Sequence, residues 1–106
     1  MVPTIRALTS LNISNNNLFH DDGAPAGKAL GDMLKTNSTL KELDVSSSAQ
    51  YSSSKGGPSF AKGLADGLGA NGALVKFDIS NNKIRAEGGK ALAEALKNNQ
   101  VMTELN

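Results

Sequence analysis

Cysteine and tryptophan are absent from this 106-residue chain, and proline occurs only 3 times. Without cysteine no disulfide supports a fold and no thiolate is available as nucleophile or redox centre. That composition fits a reducing compartment, so a cytoplasmic location is expected. Aromatics make up 4% of the residues, namely Phe19, Tyr51, Phe60 and Phe77. They are too few to stack successive bases of a nucleic-acid strand. Neither sign of charge is in excess, with 11 basic and 10 acidic side chains and a formal net charge of +1. Binding DNA phosphates or an anionic membrane needs clustered positive charge, so neither nucleic acid nor membrane is an expected partner. No apolar run approaches the roughly 20 residues of a spanning helix, and the N-terminus carries no apolar signal-peptide core.

What the chain has is self-similarity. Leu8-Thr9-Ser10-Leu11-Asn12-Ile13-Ser14-Asn15-Asn16-Asn17-Leu18 is echoed by Leu40-Lys41-Glu42-Leu43-Asp44-Val45-Ser46-Ser47-Ser48. Leu74-Val75-Lys76-Phe77-Asp78-Ile79-Ser80-Asn81-Asn82-Lys83-Ile84 repeats it, and Met102-Thr103-Glu104-Leu105-Asn106 begins it once more. The frame is L-x-x-L-x-L-x-x-N-x-L. Apolar residues two apart, such as Leu11 and Ile13, share one face of a strand. A second half also recurs, as Gly27–Asn37, Lys62–Asn71 and Glu87–Asn99. Leu30 and Leu34, or Leu92 and Leu96, lie four apart and share one face of a helix. Strand, helix, strand in this order builds a parallel sheet, and neither half buries its apolar face unless the units stack.

The repeated frame and helical half resemble the leucine-rich repeat superfamily in its ribonuclease-inhibitor-like subtype. The resemblance covers nearly the whole chain. It implies an α/β fold: a short right-handed solenoid with parallel strands on the inner face and helices on the outer. Residues 1–106 are then a single domain of about three full repeats plus a truncated fourth strand. It implies that Asn16 and Asn82, at the bends after their strands, bond the neighbouring repeat as a ladder. Ser48 replaces that asparagine in the second unit, and the ladder should be weaker there. It also implies protein binding. Relatives of this repeat type include activators of small GTPases, ribonuclease inhibitors and sensor arms of immune receptors, so a regulator of a GTPase or nuclease is an alternative reading.

The units step by 32, 34 and 28 residues. The first two exceed the usual repeat of roughly 20–29. Aligned leucines place the excess around Phe19–Pro25 and around Ala49–Pro58, as loops outside the solenoid. The terminal units carry no distinct polar cap. A homodimer through uncapped ends, or a place within a larger repeat array, is therefore a further expectation.

Several motifs imitate catalytic or ligand chemistry. Gly67-Leu68-Gly69-Ala70-Asn71-Gly72 spells G-x-G-x-x-G, but it follows a helix and precedes a strand, the reverse of a dinucleotide turn. Its glycines are expected to end the helix, where a left-handed backbone is tolerated. Gly23–Ala29 is one residue short of a phosphate loop and has Ala29 where Ser or Thr holds magnesium. His20, Asp21 and Asp22 are consecutive, so their side chains diverge from a single metal. Ser46–Ser48 and Ser52–Ser54 have no histidine beside them to activate a hydroxyl. The sequons Asn12-Ile13-Ser14 and Asn37-Ser38-Thr39 are read as incidental in an Asn- and Ser-rich chain. No enzyme, cofactor or metal is expected.

The expected function is a non-enzymatic protein-interaction module. Strand residues between the buried leucines form the open inner face: Ser10, Asn12, Glu42, Asp44, Lys76, Asp78, Glu104 and Asn106. His20 and Tyr51 on the inserted loops complete the candidate contact residues.

Overall fold

The computed structural model describes residues 8–18, 22–48 and 56–106. His20 and Tyr51, with the centres of both insertions, lie outside the described residues. Strand β1 (Ser10–Asn12) leads to helix α1 (Ala24–Thr36), β2 (Glu42–Asp44) to α2 (Gly56–Ala70), and β3 (Lys76–Asp78) to α3 (Arg85–Leu96) before β4 (Glu104–Leu105). The strands form one parallel sheet in the order β1-β2-β3-β4. The register pairs Leu11 with Leu43, Leu43 with Phe77, and Phe77 with Leu105. The apolar positions of the frame therefore stack in one column.

The core lies between sheet and helices. Leu43 and Phe77 are 2% and 1% exposed, and Val45, Ile79, Leu40 and Leu74 are buried beside them. The helices contribute Leu34, Phe60, Leu64, Leu68 and Leu92, while Leu11, Ile13 and Met102 pack at the edges. Each such side chain contributes about 1.5–3 kcal/mol when fully buried, so units that are unstable alone are stable as a stack. Backbone bonds continue past the strands: Ile13 N–H donates to Asp44 O at 2.9 Å and Val45 N–H to Asp78 O at 2.9 Å.

The bend after each strand uses one recurring conformation. Asn15, Ser47 and Asn81 occupy equivalent positions and all have φ between 54° and 60°. Asparagine tolerates this left-handed region better than most residues. The next residue makes the ladder. Asn82 Nδ2 donates to Val45 O at 2.9 Å and Ile79 O at 3.0 Å, and its Oδ1 accepts from Ser48 N–H at 2.7 Å. The hydroxyl of Ser48, buried at the matching place, donates among the described residues to Val45 O of its own coil, at 2.8 Å. Asn16 bonds its own Ile13 O at 3.1 Å.

Two expectations need correction. The glycines of Gly67–Gly72 do not supply left-handed backbone, since no described glycine has a positive φ. Gly67 and Gly69 lie inside α2. On α1, Gly27 and Gly31 are one helical turn apart and meet Gly63 and Gly67 of α2. A β-carbon on Gly31 would fall on Gly63 O, and one on Gly67 would fall on Gly31 O. Helices α1 and α2 thus touch backbone to backbone, which only glycine permits. The insertions are also shorter than the sequence suggests. Ala24 and Pro25 start α1, and Gly56, Gly57 and Pro58 are buried in the first turn of α2. Pro25 does stand in the first turn of α1, as expected of a loop entering a helix, where its missing N–H costs nothing.

Candidate functional site

In a strand, alternate side chains face opposite ways, so every apolar position pointing inward leaves a polar neighbour on the open face. The register puts Ser10, Glu42, Lys76 and Glu104 in one row across the four strands. Lys76 Nζ lies 3.6 Å from Glu42 Oε1 and 3.8 Å from Glu104 Oε1, and Ser10 Oγ donates to Glu42 Oε2 at 3.3 Å. One cation thus links two carboxylates over three strands. All three charged side chains are about half exposed.

Asn12, Asp44 and Asp78 form the adjoining row, and Asn106 follows them in the fourth unit. These side chains also shape the bend. Asn12 Oδ1 accepts from Ser14 N–H at 2.9 Å and its hydroxyl at 2.6 Å. Asp44 Oδ1 accepts from Ser46 N–H at 2.9 Å, and Asp78 Oδ1 from Ser80 N–H at 3.0 Å and its hydroxyl at 2.6 Å. Asn12, Asp44 and Asp78 each cap their own turn, which orders these three side chains in advance. Together the two rows line a shallow trough of about 240 Å³. Four carboxylates and one ammonium give it an acidic balance.

A second groove, of about 380 Å³, runs over the helix layer between α1 and α2. It is lined by the small residues Ala24, Ser59 and Gly63 and by Lys28, Asp32, Lys35, Lys62 and Asp66. Lys28 bonds Asp32 at 2.9 Å, which raises the lysine pKa and lowers that of the carboxyl. Lys62 bonds Glu87 of α3, and that bond holds the Glu87 carboxyl below its ordinary range. Lys28, Lys35 and Asp32 thus pair along α1, and Lys62 pairs with Glu87 between α2 and α3. This groove has no counterpart in the sequence reading, because it arises from the glycine contact that draws two helices together.

Sequence reasoning also missed a second set of asparagines. Asn37, Asn71 and Asn99 each stand three residues before the leading aliphatic of the next strand unit. Asn37 Oδ1 accepts from Leu40 N–H at 2.8 Å, Asn71 Oδ1 from Leu74 N–H at 2.8 Å, and Asn99 Oδ1 from Met102 N–H at 2.7 Å. Asn71 also reaches back, donating to Leu34 O at 2.9 Å and Asn37 O at 3.0 Å of the preceding coil. The recurrence N-x-x-L was the available signal.

No group of three or more metal-ligating side chains occurs among the described residues, and none of their helices is long and apolar enough to cross a membrane. A sequence-family model described as "Leucine Rich repeat" matches residues 6–26 and 70–93. Among solved structures, "Leiomodin-1 Actin-Binding Site 2 (ABS2)" superposes with a TM-score of 0.70 at 21% identity, over 92% of this chain and 51% of that one. The chain therefore spans about half the length of that structure. Repeat frame, parallel sheet and helix layer make the chain a short α/β repeat solenoid, similar in sequence to leucine-rich repeats over the matched residues.

Proposed function

We propose that this chain is a non-enzymatic interaction module of the ribonuclease-inhibitor-like subtype, binding a protein partner through the open strand face. The observation that supports this reading is the in-register row Ser10, Glu42, Lys76 and Glu104, with Asn12, Asp44, Asp78 and Asn106 beside it. A rigid sheet presents these groups at fixed spacing, and the turn bonds order three of the eight in advance. Pre-ordered side chains lose little entropy on binding. The acidic balance suits a partner segment bearing Lys or Arg, which would also compete for the carboxylates that Lys76 now holds.

The test is retention of proteins on the immobilised chain against its Glu42→Lys/Glu104→Lys variant. Neither glutamate takes part in the turn bonds described for the second row. Support is a protein held by the native chain, lost by the variant, and weakened by salt. Equal retention by both removes the strand face as the site. Actin is the first purified protein to assay, since the superposed leiomodin-1 structure is an actin-binding site.

A second reading is self-association. Strand β4 pairs only with β3 among the described residues, and Leu105 is 50% exposed. An exposed leucine on an outer strand suits addition of another strand, whether from a copy of this chain or from a further repeat. Light scattering over a concentration series tests it: growth in mass that Leu105→Lys abolishes supports stacking of copies, and a constant monomer mass refutes it.

A further inference from the structure

Asn71 is followed by Gly72, and this is the one Asn-Gly pair in the sequence. In such a pair the glycine backbone nitrogen attacks the asparagine side-chain carbon with the least steric hindrance, because glycine has no β-carbon. The N–H proton goes to solvent base, a new C–N bond closes a cyclic imide, and the side-chain nitrogen leaves as ammonia. Water then opens the imide at either carbonyl, giving aspartate or isoaspartate.

The fold does not require glycine at this place. Gly72 is exposed, its φ lies outside the left-handed region, and an added β-carbon would meet nothing within 4 Å. Asn71 is the opposite case. It is 7% exposed. Its Oδ1 accepts from Ala73 N–H at 2.9 Å and Leu74 N–H at 2.8 Å, and its Nδ2 donates to Leu34 O at 2.9 Å and Asn37 O at 3.0 Å. Four bonds hold the amide away from attack. They also make the amide irreplaceable. An aspartate has no N–H for Leu34 O and Asn37 O, and it would set a buried carboxylate oxygen against two carbonyls. Isoaspartate would add a backbone carbon just before β3 and disturb its register.

We propose that Asn71-Gly72 is a spontaneous deamidation site, silenced by the folded turn between α2 and β3 and reactive when that turn opens, and that its reaction blocks refolding. The chain then carries a chemical record of time spent unfolded. Asn37 and Asn99 serve the same turn role but precede Ser38 and Gln100, whose side chains hinder the attack; they are internal controls.

The test incubates the chain at mildly alkaline pH, folded and in guanidinium, and maps peptides over time. Conversion at Asn71 should be at least about tenfold faster unfolded than folded, since the folded turn reacts only through rare openings. Asn37 and Asn99 should lag in guanidinium. Recovery of the native circular-dichroism signal on dilution should fall with the converted fraction. Gly72→Ala should keep the native melting temperature, slow the conversion by about tenfold, and preserve refolding after the same incubation. Asn71→Asp, which carries one product side chain from the start, should melt lower than Gly72→Ala or fail to fold. Equal rates at Asn71 in folded and unfolded chain would overturn the proposal. Full refolding of chain already converted at Asn71 would do the same.

Discussion

Asn82 Nδ2 reaches Val45 O of the preceding coil at 2.9 Å, while the Ser48 hydroxyl in that coil, among the described residues, bonds its own Val45 O. The difference of one side-chain amide sets how strongly consecutive coils are tied at the bend. Replacing Asn82 with Ala leaves Ser48 N–H and Val45 O without this partner in a buried place, and should cost about 1–3 kcal/mol. Ser48→Ala removes a bond within one coil and should cost less. Urea unfolding of both variants checks the order, and equal losses would count against the ladder.

The stacked aliphatic column makes a second prediction. Leu43 and Ile79 are buried in the shared core, so Leu43→Ala or Ile79→Ala should each cost roughly 2–5 kcal/mol in denaturant unfolding. A loss under about 0.5 kcal/mol would contradict their place in it.

Much of this was legible in the residues. Apolar spacing of two at Leu11 and Ile13, and of four at Leu30 and Leu34, fixes which face each half buries. Alignment of the halves then fixes the strand register. Other features were hidden for physical reasons. The glycines of α1 and α2 meet between helices that are separate in sequence, so Gly31 carries no signal of its own and Gly67 reads as part of a false nucleotide motif. Asn37, Asn71 and Asn99 act through backbone groups of the following turn, which carry no sequence signature beyond their own spacing. The division of labour in Asn81-Asn82 is similarly silent: the first takes the left-handed φ and the second forms the ladder.

Glycine positions separate packing from propensity. Gly31→Ala forces a methyl onto Gly63 O and should destabilise by about 1–3 kcal/mol or more. Gly89→Ala, within α3 and meeting nothing within 4 Å, should stabilise by about 0.5–1 kcal/mol. Thermal melts of the two variants should therefore move in opposite directions.

The outer ion pairs predict a pH response. Glu87 and Asp32 are held below their ordinary values by Lys62 and Lys28. Their contribution is complete above the ordinary carboxylate range and is lost as pH falls through the lowered values. Lys28 is held above its ordinary value, so its contribution is complete below that value and is lost as pH rises through the raised one. Melting temperature against pH should flatten on the acid side in Glu87→Gln. The difference from the native chain should shrink in high salt, because these side chains are exposed.

The register of the four strands decides which side chains form the open face, and a natural chain without cysteine allows that register to be read directly. Cysteines at Glu42 and Lys76, which are paired across β2 and β3, should form a disulfide under mild oxidation, being neighbours on one face within bridging reach. Cysteines at Glu42 and Phe77 should not, because a shift of one residue turns the side chain into the core. Efficient cross-linking of the first pair and not the second is the predicted result. Equal or reversed cross-linking would contradict the row of Ser10, Glu42, Lys76 and Glu104, and with it the proposed binding face.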